Sequence, residues 1–347
     1  QVMYQRLLLI IACMVSLGAA VALAASEPRS MLPASTLQAN QLAVIVNGSD
    51  PLSIKVAQYY QAKRGIHRDN IIYINFEPGK TKMSPGEFAV LKKTVESKLP
   101  DNIQAYLLAW AAPYRVGCMS ISSAFAFGYD VKYCATGCKT THPSPYYNSS
   151  STQPFTDFGM RPTMLLAADN VEDAKALIDR GVAADGSMPD GTAFLVETSD
   201  QRRSVRKVFY PVIQEQLGQE IEIKRLQVDA IKDQSQVMFY FTGKKEVTDL
   251  YSNNYLPGAV ADHLTSSGGV LSGGSQMSAM EWLKAGVTGS YGSVIEPCNF
   301  TEKFPNPLLM MAHYLAGETL IEAYWKSVKM PGQGVFIGDP LASPYDG

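Results

Sequence analysis

The sequence predicts an α/β protein: a mostly parallel sheet flanked by helices, built from two βα subdomains. Three observations carry this. Short apolar runs bounded by turn residues recur at 42–46, 71–76, 105–110, 192–197 and 237–241, and read as buried strands. Segments with apolar residues at helical spacing lie between them, so strand and helix alternate as in βαβ units. The linker D-G-S-M-P-D-G at 185–191 divides this alternation into two series, placing the subdomains at 41–185 and 190–345.

With 347 residues, 46% hydrophobic and 18% charged, the chain can bury a large core, which argues against disorder. A formal net charge of −2 gives no reason to expect nucleic acid as a partner. Arg6 precedes an apolar run at 7–21, and Ala22-Leu23-Ala24 offers a cleavage site. Residues 1–24 therefore read as a secretory signal rather than a spanning helix, with a polar spacer at 25–40. An exported protein follows, periplasmic or extracellular, without a transmembrane segment after cleavage.

The elements run as follows. The strand 42–46 leads through N-G-S-D-P, where Ser49 or Asp50 can cap, into a helix at 52–63 that Gly65 stops. A strand at 71–76, a helix at 88–99 and a strand at 105–110 follow. Residues 116–161, rich in Ser, Tyr, Gly and Pro, read as one long irregular loop after a strand's carboxyl end. Such loops are often functional, and this one is placed to roof a site. A short strand at 164–168 precedes a helix at 171–184, capped by Asp169 or Asn170, with Val171, Ala174, Leu177 and Ile178 on one face. The second series has a strand at 192–197, a helix at 205–217, strands near 221–226 and at 237–241, and a helix from 306 to about 329.

Two further apolar runs, 256–261 and 287–295, each end at reactive side chains: Asp262-His263 and Glu296-Pro297-Cys298. In an open α/β sheet ligands sit beyond the carboxyl ends of the strands. A Cys–His nucleophilic site is thereby expected, with Cys298 as nucleophile and His263 as its base, since a thiol of pKa about 8.5 needs a nearby imidazole to ionise near neutrality. Asp262 and Glu296 are the orienting carboxylates. Backbone N–H groups around Gly268-Gly269 and Gly273-Gly274, with Thr242 at the end of the neighbouring strand, are the oxyanion and binding candidates. Taken singly, Cys298 reads as a buried small hydrophobe and His263 as a satisfied structural histidine. Arg115, Arg161 and Arg180 are candidates to clamp a carboxylate, or else surface ion-pair partners.

Cys118, Cys134, Cys138 and Cys298 remain after signal cleavage, and export permits disulfides. Sequence proximity favours one bridge within the trio Cys118, Cys134 and Cys138, with Cys134–Cys138 foremost, leaving Cys298 free. The C-x3-C pair has only His142 nearby and lacks a second ligand pair, so no metal is expected. No G-K-S/T follows the glycines at 268–274, and no cofactor is expected.

The second half resembles the gingipain-type cysteine peptidases of the caspase-like clan. The resemblance rests on the ending G-V-F-I-G-D-P-L-A, on L-P-G-A-V-A-D-H and A-G-V-T-G-S-Y-G-S, and on R-P-T-M-L-L-A-A-D-N-V-E-D-A-K-A-L-I-D-R. It spans roughly residues 160–345 and implies a caspase-like sheet with helices on both faces. The chain also resembles an exported family of bacteria that carry exosortase. The family's His-Gly pair falls where this chain has Thr242-Gly243, and its Ala-Cys nucleophile where this chain has Asp262-His263. Two functions follow: an exported cysteine hydrolase, peptidase or transpeptidase-like, whose dyad has moved by one strand and whose substrate is a polypeptide; or a non-catalytic binding or assembly factor for an envelope protein, linked to exosortase and cell-envelope processing.

Overall fold

Leu42–Asn47 (β1) shows why the apolar runs become strands: all six of its residues are buried, so the segment lies where both sheet faces are covered. The computed structural model describes residues 36–135 and 137–347. The expected signal segment 1–24, its expected cleavage site and most of the spacer lie outside the described residues.

The strands continue as β2 (Ile71–Ile74), β3 (Lys82–Met83), β4 (Ala105–Leu108), β5 (Arg115–Val116), β6 (Met119–Ser120), β7 (Thr163–Leu165), β8 (Thr192–Glu197), β9 (Glu222–Gln227), β10 (Val237–Thr242), β11 (Tyr255–His263), β12 (Gly289–Ser293) and β13 (Gly334–Gly338). Ten of them form one sheet in the order β2-β1-β4-β7-β13-β12-β11-β10-β8-β9, and β3, β5 and β6 form a small second sheet. In the large sheet only the β12–β13 pair is antiparallel. The segments 41–185 and 190–345 thus share a continuous sheet, and β13 is the strand that joins them. The edge strand β9, Glu-Ile-Lys-Arg-Leu-Gln, carries three charged residues, which disfavour pairing of its open edge with another chain.

The helices are α1 (Pro51–Arg64), α2 (Pro85–Glu96), α3 (Ile121–Phe127), α4 (Pro154–Phe158), α5 (Val171–Ala184), α6 (Tyr210–Leu217), α7 (Met280–Lys284), α8 (Pro307–Leu315) and α9 (Leu320–Ser327). None among the described residues is long and apolar enough to cross a membrane. Asp50 caps α1 by accepting from Leu52 N–H, and Asn170 caps α5 by accepting from Asp173 N–H.

Two expectations are corrected here. The single helix expected over 306–329 is two: Gly317, at φ +90°, ends the first, and the reciprocal capping of Thr319 and Glu322 starts the second. The long stretch 116–161 is not irregular throughout, since it holds α3 and α4. Ser120 begins α3 by accepting from Ser123 N–H.

The G-D-P close of the chain is structural. Asp339 is fully buried, accepts from Tyr60 Oη at 2.9 Å and pairs with Arg64 Nη2 at 2.5 Å, tying the end of β13 to α1. Gly181 of α5 is required beside it, because a Cβ there would stand 2.1 Å from the Asp339 carboxylate.

Candidate functional site

The carboxyl ends of β8, β10 and β11 form one rim of the sheet. Thr242 and His263 end adjacent parallel strands and are Cα partners in register. They are the two positions at which the resemblance places the peptidase dyad, and the chemistry there is different.

His263 is 1% exposed. Trp282 Nε1–H donates to its Nδ1 at 2.9 Å, which puts the imidazole proton on Nε2, and Nε2 donates to the Met277 carbonyl at 3.0 Å. Both ring nitrogens are therefore committed. Gly268 lies over the ring, where a Cβ would be 3.4 Å from Cε1. Burial pushes the His263 pKa down to about 4, the Met277 hydrogen bond opposes the shift, and the Arg206 and Arg203 charges add to it. His263 is neutral at pH 7 and has no free lone pair with which to take a thiol proton.

The folded state resists protonating His263 until about pH 4, whereas the unfolded chain protonates it near the ordinary histidine value of 6.5. Between these values the unfolded state binds more protons, so this residue's contribution to stability is present above pH 6.5 and is lost as the pH falls through that window. Relative to His263→Gln, which keeps a donor and an acceptor without titrating, the wild type is expected to lose roughly 2–3 kcal/mol more between pH 7 and 4.5 in urea unfolding. Parallel pH profiles for the two proteins would refute the assignment.

Asp262 points to the opposite face, as strand neighbours do, and does not orient His263. It pairs with Arg206 Nη2 at 2.6 Å, both side chains being 1% exposed. Arg206 also donates to the Thr242 carbonyl at 2.8 Å and the Pro305 carbonyl at 3.2 Å. Where the resemblance expects a reacting pair, this chain therefore has a buried ion pair on one face and a hydrogen-bonded imidazole on the other.

Cys298 is not a free thiol. It is bonded to Cys138, with Cα atoms 5.5 Å apart, and Cys118 is bonded to Cys134 at a Cα separation of 5.4 Å. The expected Cys134–Cys138 bridge is corrected. The part of the 116–161 stretch at Cys138 reaches the rim, so that Cys138 is bonded to Cys298 rather than to Cys134. The Lys303 ammonium donating to the Lys139 carbonyl at 2.6 Å fastens the same place. Glu296 accepts from the Cys298 N–H at 2.7 Å and stabilises this turn, in which Cys298 has φ +54°. It does not orient an imidazole. His142 packs edge-on against Tyr133, with ring centroids 5.5 Å apart.

The glycines bring backbones close together. Gly269 N–H donates to the Ser293 carbonyl at 2.9 Å, and a Cβ at Gly269 would lie 2.4 Å from the Gly292 oxygen. That amide is spent on holding the 264–279 loop against β12, so it does not serve as an oxyanion donor. Gly273, at φ +68°, has open space around it, and Gly274 packs on Val270.

The rim nevertheless carries an open cleft of about 510 Å³, with the Cys138–Cys298 disulfide, Arg202, Arg203, Thr265, Ser266 and Glu296 among its lining. Arg203 is held by Asp200 at 2.7 Å and donates to Thr265 Oγ1 at 3.0 Å. Arg202 is exposed and makes no ion pair among the described residues. On the other side of the 264–279 loop lies a second cleft of about 540 Å³, bordered by Lys245, Asp249, Tyr251, Gln276 and Glu281. Gln276 braces the partition between them, accepting from Thr265 Oγ1 at 2.8 Å and from Ser267 N–H at 2.9 Å. Sequence reasoning missed the pairing of Cys138 with Cys298, and it missed Arg202, Arg203, Arg206 and the role of the Trp282 indole. The run S-D-Q-R-R-S-V-R, directly after the carboxyl end of β8, was a legible signal for the arginines.

No family model matches the chain, and no curated protein matches it. Among solved structures the chain is similar to the complex of the pro- and mature domains of RgpB from Porphyromonas gingivalis. The identity is 10%, the TM-score 0.50, and the match covers 88% of this chain and 80% of that one. A structure described as a protease matches at 11% identity and TM-score 0.43, covering 90% of this chain and 80% of the other. The fold is thus gingipain-like, an α/β architecture with a large, mostly parallel sheet flanked by helices. Neither match bears on the exosortase association.

Proposed function

We propose that this protein is an exported, non-catalytic binding factor on a gingipain-like fold, and that its partner is a polypeptide held at the rim cleft beside Cys138–Cys298. The observation that carries this reading is the state of His263: neutral, enclosed, and hydrogen-bonded through both ring nitrogens. A hydrolase of the Cys–His type needs an imidazole with a free lone pair within reach of a thiol, and the sulfur that would serve is in a disulfide. The two disulfides accord with an oxidising, extracytoplasmic compartment. The cleft offers an unpaired guanidinium and hydroxyl groups on a fixed floor, which suits an acidic peptide segment. The gingipain-like neighbour is itself described as a complex of pro- and mature domains, a peptidase-like fold in contact with another polypeptide.

The test has two arms. Fluorogenic peptides incubated with the oxidised and with the dithiothreitol-treated protein should show no turnover. Iodoacetamide should label the reduced Cys298 at the rate of an ordinary thiol, unchanged by His263→Ala. Peptides selected by display on the oxidised protein should lose affinity by about tenfold with Arg202→Glu, as expected for reversing a charge that meets an acidic segment. Turnover that appears on reduction and vanishes with Cys298→Ala would restore the hydrolase.

A further inference from the structure

Away from the rim, α2, the end of α3 and α4 enclose a groove of about 440 Å³. Its walls include the rings of Phe125, Phe127 and Phe155, and its charged groups include Lys92, Lys93 and Arg161. Arg161 is only 8% exposed. Its Nε donates to the Ile103 carbonyl at 2.9 Å and its Nη1 to the Tyr106 hydroxyl at 3.3 Å. The guanidinium carbon lies 3.2 Å from the centre of the Phe155 ring. Nη2 has no partner, and no carboxylate pairs with this side chain among the described residues. Glu96, the one acid on the groove among the described residues, is bound to Lys92 at 2.5 Å and acts on Arg161 only through space, without pairing with it. Tyr106 supplies no counter-charge either, since burial pushes its hydroxyl up to about 12. Lys93 is exposed and makes no ion pair among the described residues.

A largely buried guanidinium with no paired carboxylate keeps a desolvation cost that Glu96 offsets only in part, and an incoming anion relieves it. Fixed planar donors set among aromatic rings match a carboxylate on an apolar body: the guanidinium takes the oxygens, and the rings cover the remainder. We infer that this groove is a binding site for a small aromatic or aliphatic carboxylic acid, with Arg161 as the anion anchor and Lys93 as a charge at its mouth. It is separate from the rim cleft and does not depend on the binding reading proposed there.

Two fluorescent probes with the same ring body test it on the intact, oxidised protein: 8-anilinonaphthalene-1-sulfonate, which carries the anion, and N-phenyl-1-naphthylamine, which does not. The anionic probe should bind at one site, tighter than the neutral one by about tenfold to a hundredfold, the worth of a hydrogen bond to a charged group. 3-Phenylpropionate should displace it, and 3-phenylpropanamide should not. Arg161→Met should remove the anionic preference and leave the neutral probe within about twofold. Should that variant fail to fold, Lys93→Gln, on the exposed face of α2, should weaken the anionic probe alone by a few-fold. Equal affinity for both probes, displacement by the amide, or an anionic preference untouched in a folded Arg161→Met or in Lys93→Gln would overturn the assignment.

Discussion

Replacing Arg206 by Met will lower the free energy of unfolding by about 3–5 kcal/mol at pH 7, the usual cost of removing one member of a buried pair. The guanidinium is the one positive charge facing Asp262, and both side chains are shut off from water. Burial pushes the Asp262 carboxyl above the ordinary carboxylate range, and Arg206 pulls it back. Without Arg206 the folded state will hold the Asp262 proton more tightly than the unfolded chain does. An acid whose folded pKa is raised favours the folded state at low pH, and that advantage is lost as the pH rises through the folded value. The variant's deficit should therefore shrink on acidification, a slope that Arg206→Met/Asp262→Leu should lack while regaining most of the stability. Urea unfolding across pH measures both. A deficit below about 1 kcal/mol would mean that water reaches the pair.

The second large effect belongs to Cys138–Cys298, which links residues 160 apart in sequence. Removing the bridge with Cys138→Ala/Cys298→Ala should cost about 3–5 kcal/mol, chiefly by freeing the unfolded chain, and lower Tm by roughly 4–8 °C. The same double variant should release the middle of the 116–161 stretch from the rim, so hydrogen exchange should rise around Lys139 and around 296–300 while β1 and β4 stay protected. Peptide mapping without reduction should recover Cys138 linked to Cys298 and Cys118 linked to Cys134. Recovery of a Cys134–Cys138 peptide would reverse the reading of the rim.

Much of the fold was legible because its strands are buried on both faces. A run such as Val237–Thr242 has no polar alternation to obscure it. The helix Val171–Ala184 was legible from its apolar stripe and its asparagine cap. What escaped depends on contacts between distant segments. No spacing rule says that Cys138 will meet Cys298, because that pairing is decided by where a long excursion lands. The strand end at His263 was visible, and the resemblance placed it beside Thr242 as the structure does. That the histidine is enclosed was not, since its cover comes from Gly268 and Trp282, brought over it by the 264–279 loop. A reactive residue type at a strand end is thus a weaker signal than the polar groups that arrive from elsewhere to consume it.

The interior position of β13 has a consequence for the growing chain. Strands from the first half and strands from the second half meet only through residues 334–338. As the chain emerges from its N-terminal end, two partial sheets will form, each with a naked edge, β7 on one and β12 on the other. Both edges stay open until the last strand in chain order slots between them, and open edges of apolar sheet recruit other chains. Truncation before Gly334 should therefore yield insoluble material rather than a soluble half. The interval between the appearance of β12 and that of β13 is thus the one in which the chain is most exposed to association with other chains.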